Sequence, residues 1–241
     1  MPHFRIPTLA ADLSIPLDPR GPQPNAYGVP PAGARPYSGE GFTLDVRAGG
    51  PVNCEVLQLI PHCHGTHTES VGHITADRLP VSEVPMPLFT PCAVITVTPL
   101  HREIHTEQVE GKPAEALVVR TLPNDAGKRT RKWENDATPY FTPEAMRVIR
   151  ARGVEHLLVD LPSVDPLYDG GALAAHRVFW DVPPGSTELP GEEARLRTIT
   201  ELIFVPDEVP DGWYLLTIQT PHILSDAVPS RPLLFFPVDV S

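Results

Sequence analysis

Histidine, cysteine and glutamate are concentrated in one short stretch of this 241-residue chain. From Pro61 to His73 the sequence reads PHCHGTHTESVGH, so four of the ten histidines fall within thirteen residues, beside a cysteine and a glutamate. Imidazole, thiolate and carboxylate groups are the ligands of borderline divalent metals such as zinc and manganese. Gly65 lets the backbone turn sharply, so side chains on both sides of it can converge on one point. The stretch therefore predicts a metal site.

The residues of this stretch differ in how strongly they indicate metal binding. His67, Glu69 and His73 are the stronger candidates, because so dense a cluster after a predicted buried strand is uncommon by chance. For His62 and His64, metal binding and an ordinary position at the end of a strand are equally good interpretations.

The same stretch resembles the signature of the cyclase family of metal-dependent hydrolases, which includes bacterial kynurenine formamidase and isatin hydrolase. That signature reads His-x-Gly-Thr-His-x-Asp-x-Pro-x-His and follows a strand. The positions that match it are Gly65, Thr66, His67 and His73. The family's first His, its Asp and its Pro are replaced by Cys63, Glu69 and Val71. Shorter similarities follow in the family's order over residues 11–237, in segments that begin with Asp12, Asp160, His176, Thr200 and Ser230.

The resemblance implies ligands for two metal ions. In the family, the first two histidines and the Asp of the signature hold one ion. The same Asp bridges to a second ion, which a later His and a later Glu also bind. By position, the first ion would bind Cys63, His67 and Glu69 in this chain, and the second would bind Glu69, His176 and Glu201.

The departures from the signature bear on which metal is bound and how. A thiolate at Cys63 favours zinc over harder ions, with manganese as the second choice, and one or two ions are expected. Glu69 is one methylene longer than Asp, which shifts the point at which it could bridge two ions. Glu188 competes with Glu201 as the carboxylate of the second ion. Glu201 is preferred because it lies in a predicted strand and matches a Glu-Leu pair of the family.

The activity that the resemblance implies is hydrolysis of a C–N bond by water that the metal activates. The substrate would be an amide, a formamide such as an arylformamidase cleaves, or a cyclic amide. His73 would take the place of the family's general acid/base and pass a proton to the leaving nitrogen. The expected partners are a small-molecule substrate and further copies of the chain, in a homodimer or homotetramer. The alternative is a catalytically silent relative that binds a metal or ligand, because two signature positions with polar side chains are altered.

The elements that must position these residues indicate a mixed α/β fold. Strand-length apolar runs occur at residues 55–60, 93–97, 116–121, 156–161, 199–205, 213–219 and 232–238. Most are apolar on both faces, which is typical of strands that are covered on both sides. One helix is predicted to begin with Thr142 as its N-cap and Pro143 as its first residue, and to end near Gly153.

The predicted organisation is one α/β domain over residues 1–241. The resemblance implies that its core is a mixed, β-barrel-like sheet flanked by helices, as in the cyclase family. Residues 14–51 contain eight prolines and are predicted to form an extended, irregular arm. Because this arm leads into the histidine-rich stretch, we expect it to act as a lid or to contact a partner.

The overall composition excludes several other classes of protein. The 31 prolines argue against a helical bundle, since proline breaks helix interiors. A net charge of -11 with no basic stripe argues against nucleic-acid binding. No apolar run approaches the roughly 20 residues of a membrane span, and residues 1–13 do not have the pattern of a signal peptide. Three cysteines, an odd number, predict reduced thiols and a cytoplasmic location.

Overall fold

The computed structural model describes residues 7–134 and 137–237. Within these ranges the strands are β1 (Leu9–Asp12), β2 (Asn25–Ala26), β3 (Gly33–Pro36), β4 (Ser38–Gly39), β5 (Phe42–Thr43), β6 (Glu55–Gln58), β7 (His67–Ser70), β8 (Thr90–Val97), β9 (Glu103–Ile104), β10 (Ala116–Thr121), β11 (Lys132–Trp133), β12 (Tyr140–Phe141), β13 (His156–Val159), β14 (Thr198–Glu201), β15 (Gly212–Gln219), β16 (Ala227–Pro229) and β17 (Arg231–Phe235). The α-helices are α1 (Thr106–Val109), α2 (Pro143–Ala151), α3 (Ala174–Trp180) and α4 (Glu192–Arg195). Short 3₁₀ turns span Val46–Ala48, Pro61–Cys63, Val71–His73, Val81–Glu83 and Ala126–Thr130. Residue 238, the last of the predicted run 232–238, lies outside the described residues.

One curled, mixed sheet of nine strands forms the centre of the fold, in the order β1-β17-β15-β8-β10-β13-β14-β7-β16. The four strands from β8 to β14 in this order run parallel. The strands on either side of these four are antiparallel to their neighbours. The predicted α/β fold with a mixed, barrel-like sheet is therefore confirmed.

Alternate residues of the central strands enter two different hydrophobic cores. Leu117 and Val119 of β10 pack in the core that α2 and α3 cover. Ala116 and Val118 face the opposite side, in the core shared with β1, β15 and β17. Burial of one such aliphatic side chain contributes about 1.5–3 kcal/mol. Because parallel strands are covered on both faces, β10 opens with a continuous apolar run rather than an alternating one.

The helices are short, and α2 agrees with its prediction. The Thr142 hydroxyl accepts a hydrogen bond from the amide of Ala145, and Pro143 occupies the first turn, where its missing N–H costs nothing. The chain leaves the helix at Gly153, whose φ of +80° is readily adopted by glycine. Among the described residues, none of the helices combines the length and apolar character that crossing a membrane requires.

The region before the histidine-rich stretch differs from its prediction. The apolar run at 55–60 was expected to be a buried strand, which is wrong. It forms β6, which pairs with β3 in a two-stranded ribbon outside the main sheet, and Leu57 is 63% exposed. The arm at 14–51 is extended but not irregular, because β2 to β5 lie within it. Both errors arise because β3, the partner strand of β6, lies in the arm. The many prolines of the arm do not give the sequence pattern of a strand.

A buried histidine in β13 makes stability depend on pH. His156 is 2% exposed, its Nδ1 lies 2.9 Å from Thr198 Oγ1, and burial lowers its pKa to about 4. In the unfolded chain the imidazole takes up a proton near pH 6.5. The unfolded state therefore binds more protons between these values, and stability present above about pH 6.5 is lost as the pH falls towards about 4. This group alone should cost about 3 kcal/mol, at about 1.4 kcal/mol per pKa unit.

The test is urea unfolding of the wild type and His156→Gln at about pH 7 and about pH 4. Glutamine is polar but does not titrate, so the fall in unfolding free energy should be about 3 kcal/mol smaller in the variant. Equal falls in the two proteins would show that His156 does not remain neutral in the folded state.

Candidate metal centre

Strand β7 places two of the predicted ligands on one face of the sheet. Side chains alternate along a strand, so His67 and Glu69 project in the same direction. Strand β14 pairs with β7 and puts Glu201 directly opposite His67. All three side chains are buried, and one ligand atom from each lies within 4.8 Å of the others. Two parts of the chain that are distant in sequence are thereby joined in one cluster.

Two buried atoms of this cluster have no hydrogen-bond partner in the described part of the chain, His67 Nε2 and Glu69 Oε2. His67 donates its Nδ1 hydrogen to the carbonyl of Gly65 at 3.0 Å, so the lone pair on Nε2 faces Glu201 Oε2 at 3.5 Å. A buried polar atom without a partner costs about 1–3 kcal/mol. A divalent cation would satisfy both atoms, and imidazole with carboxylate suits zinc or manganese. The residues therefore fit a metal ion.

Helix α3 adds His176 to the cluster. Its Nε2 lies 3.0 Å from Glu69 Oε1 and 3.8 Å from Glu201 Oε1. Its Nδ1 donates to Asp165 Oδ2 at 2.6 Å. Asp165 also accepts the backbone amides of Ala175 and His176, so one carboxylate both caps the helix and orients the ring. A carboxylate behind a histidine is the usual support of a metal ligand.

Of the two carboxylates considered for the second ion, Glu201 lies in the cluster and Glu188 is exposed on the loop between α3 and α4. Glu201 Oε1 accepts the amide of Val164 at 2.9 Å, which fixes its orientation. The next residue, Leu202, has a φ of +53°, a left-handed conformation that costs a residue other than glycine roughly 1–3 kcal/mol. Such strain is concentrated at functional sites.

Cys63 is buried at the end of the turn Pro61–Cys63, beside the cluster. In the described residues its sulfur joins neither of the two groups of mutually close ligand atoms. Burial and the Glu201 carboxylate raise the pKa of its thiol. The neighbouring His62 does join a group, with Glu69 and His73. The ligand role that the resemblance gives to Cys63 stays a prediction.

His73 lies at the edge of the cluster, in the turn after β7. Its Nε2 is 3.9 Å from Glu69 Oε2 and its Nδ1 is 3.7 Å from Asp226 Oδ2. The ring is partly exposed and lines an open cavity of about 610 Å³, together with Thr187 and Asp226. From this position, between the buried Glu69 carboxylate and an open cavity, an imidazole can exchange protons with a small molecule in the cavity.

Two residues near the cluster were missed by sequence reasoning. Asp226, just before β16, accepts a hydrogen bond from His62 Nε2 at 3.0 Å. Tyr27 comes from the arm, where β2 pairs with β11. Burial and the carboxylates of Glu201 and Glu69 raise the pKa of its phenol. Neither residue belongs to a motif. The arm leads into the histidine-rich stretch, which was a signal for Tyr27, and the sequence held no signal for Asp226.

The electrostatics of the site centre on the Glu69 carboxylate, which is fully buried. Burial favours its neutral form, but His73, His176 and His62 hold its pKa well below the usual range. Burial likewise favours neutral His62, yet Asp226 and Glu69 raise the pKa of that ring to about 10. Glu69 is therefore ionised although it is buried, and the imidazoles beside it mark where positive charge is needed.

The Cyclase family model, "Putative cyclase", matches residues 11–166. The match covers more than half of the chain, and it includes the histidine-rich stretch, β7 and Asp165. The chain therefore belongs to the Cyclase family, as its resemblance to that family predicts.

Solved structures with the same fold include hydrolases. The structure of a potential metal-dependent hydrolase with cyclase activity is 15% identical, with a TM-score of 0.69 over 95% of this chain and 98% of the other. A predicted metal-dependent hydrolase from Bacillus stearothermophilus is 15% identical, with a TM-score of 0.64 over 94% and 98%. Isatin hydrolase A from Labrenzia aggregata, bound to benzyl benzoate, is 17% identical, with a TM-score of 0.65 over 94% and 93%. At these identities the similarity shows the fold.

The link between Asp165 and His176 predicts that the variant Asp165→Asn binds zinc about 10–100-fold more weakly than the wild type. The amide keeps the size of the side chain but no longer holds the imidazole with a charged acceptor. Calorimetric titration with zinc measures the change. The matched control is Asp169→Asn, because Asp169 accepts the amide of Leu173 at the start of α3 and does not bond to His176. If zinc affinity falls equally in both variants, Asp165 affects zinc binding only by stabilising the start of α3 and not by orienting His176.

Proposed function

We propose that this protein is a metal-dependent hydrolase that cleaves a C–N bond in an amide, a formamide or a cyclic amide. The observation that carries the proposal is the buried convergence of His67, Glu69 and Glu201, with His176 beside both glutamates and with two polar atoms that lack partners in the described residues. Membership of the Cyclase family supports it, as does the fold shared with metal-dependent hydrolases.

The four clustered side chains would hold zinc or manganese, and Asp165 would keep the ring of His176 in place. When bound, such an ion supplies Lewis acidity, which polarises a carbonyl group and lowers the pKa of water towards neutrality. Glu69, whose two oxygens face different imidazoles, is the residue placed to serve two ions if two are bound.

His73 is the proposed general acid/base. It lies between the Glu69 carboxylate and the cavity, so its imidazole would take the proton that the attacking water gives up and pass that proton to the leaving nitrogen. Asp226, beside Nδ1, stabilises the protonated ring. A positioned proton-transfer group of this kind contributes about 10²- to 10⁴-fold to the rate.

The proposed substrate is a small molecule with a carbonyl group bonded to nitrogen. The cavity beside His73, about 610 Å³, is within the size range of small-molecule sites. One structure with the same fold is an isatin hydrolase bound to the product analogue thioisatinate, and isatin is a cyclic amide. Zinc as the preferred ion, assembly into a homodimer or homotetramer and a cytoplasmic location stay predictions.

A second candidate function is that of a catalytically silent family member that binds a metal or a ligand. It is favoured by the altered signature, since Cys63 and Glu69 replace a ligand histidine and the bridging Asp, and since the Cys63 sulfur joins neither group of mutually close ligand atoms in the described residues. The two candidates differ in turnover and not in metal binding.

Metal binding is tested first on protein purified without chelator. Elemental analysis should find zinc or manganese, and added metal should raise the melting temperature, because a ligand that binds only the folded state stabilises it. At a free concentration of about 100 times Kd the gain is about 2.7 kcal/mol. Absence of both metals, with no thermal shift when either is added, would contradict the hydrolase proposal and its alternative metal-binding form.

The roles of His73 and His67 predict different outcomes for their alanine variants. On a panel of formamides, lactams and lactones, His73→Ala should lower turnover about 10²- to 10⁴-fold and keep its metal. His67→Ala should lose both metal and turnover. Equal metal loss in the two variants would show that His73 is a ligand, and a wild type that turns over no compound of the panel would favour the silent relative.

A further inference from the structure

The turn Pro61–Cys63 directs His62, and not Cys63, towards Glu69. His62 Nδ1 lies 3.0 Å from Glu69 Oε2, the buried oxygen that accepts no hydrogen bond from the described residues. A 3₁₀ turn has three residues per turn, so adjacent side chains point about 120° apart. Only one of these two neighbours can therefore face the carboxylate, and in this chain it is the imidazole.

The orientation of the His62 ring is fixed from its other side. Its Nε2 lies 3.0 Å from Asp226 Oδ2, and a carboxylate can only accept, so the hydrogen lies on Nε2. Nδ1 faces the negatively charged Oε2 of Glu69, which is favourable only with a positive charge on or between the two atoms. In the metal-free protein a proton on Nδ1 supplies that charge. A divalent cation that displaces this proton would be bound by Nδ1 and Oε2, and the contact of Nε2 with Asp226 would stay in place.

The same arrangement recurs in the other rings of the cluster. His176 is held through Nδ1 by Asp165, and His67 through Nδ1 by the carbonyl of Gly65. The second nitrogen of each ring faces a glutamate of the cluster. Since His62 follows this pattern and Cys63 does not, His62 has the geometry of a metal ligand with an orienting acceptor behind it.

We propose that His62 is a ligand of the metal centre through Nδ1, in the place that the family signature gives to residue 63, and that Asp226 is its orienting carboxylate. The proposal rests on the metal binding proposed above. The site would take a borderline divalent cation, such as zinc, cobalt or manganese, in a set of nitrogen and oxygen donors without sulfur. Such a set selects zinc less strongly than a thiolate does.

The test is titration of the metal-free, full-length protein with cobalt(II), followed by absorption spectroscopy. Cobalt is the probe because a thiolate ligand gives a sulfur-to-cobalt charge-transfer band in the near ultraviolet, whereas imidazole and carboxylate do not. The wild type should bind cobalt without this band, and Cys63→Ser should bind it with nearly the same affinity. His62→Ala should bind it at least tenfold more weakly, and Asp226→Asn about 10–100-fold more weakly. The control is His222→Ala, which removes an exposed histidine and should change nothing.

Each outcome decides between the ligand sets. A charge-transfer band in the wild type that disappears in Cys63→Ser, with full affinity in His62→Ala, would overturn the proposal and restore Cys63 as ligand. Unchanged cobalt affinity in Asp226→Asn would overturn the orienting role of Asp226. Because this variant is isosteric, it still tests the proposal if His62→Ala does not fold. Binding by the wild type that needs neither His62 nor Cys63 would overturn the proposal and leave the proposed function intact. Absence of binding by the folded wild type would overturn both.

Discussion

The fully buried carboxylate of Glu69 is the group on which the arrangement of this site depends. A carboxylate removed from water costs several kcal/mol unless compensating charges and hydrogen bonds surround it. Here the imidazoles of His62 and His73 approach its Oε2, and the imidazole of His176 approaches its Oε1. They come from the turns that flank β7 and from α3. The antiparallel edge formed by β14, β7 and β16 holds Glu69 at the meeting point of these elements.

A common construction links the ligand rings to the rest of the fold. The imidazoles of His62, His67 and His176 each face a cluster carboxylate with one nitrogen and are anchored through the other to an acceptor outside the cluster. Asp165 shows what this achieves, because it caps α3 and holds His176 at the same time. Asp165 therefore fixes both the start of α3 and the direction in which Nε2 of His176 points. Positioning within a cluster of this kind depends on backbone contacts as much as on the ligand side chains.

The sequence predicted those parts of the structure that local physics determines. The continuous apolar run of β10 and the capping residues of α2 identify their elements directly. The histidine-rich stretch predicted where the cluster would be, and the family resemblance added His176 and Glu201 from far along the chain. Strand β7 was missed because its residues, His-Thr-Glu-Ser, are polar although fully buried. Apolar periodicity is not informative where a strand carries ligands instead of core residues. Asp226 and the direction of His62 depend on a turn and a distant pairing, which no local pattern encodes.

The wall of the cavity beside His73 includes a loop that contributes none of the cluster carboxylates. Thr187, in the loop between α3 and α4, forms part of its wall, and its carbonyl accepts the amide of Ala76 at 2.9 Å. Changes in the length or composition of this loop alter the shape of the entrance and leave β7, β14 and Asp165 in place. Proteins built on this plan can therefore diverge in the compounds they admit while their metal chemistry is conserved, since the two properties are encoded in separate segments of the chain.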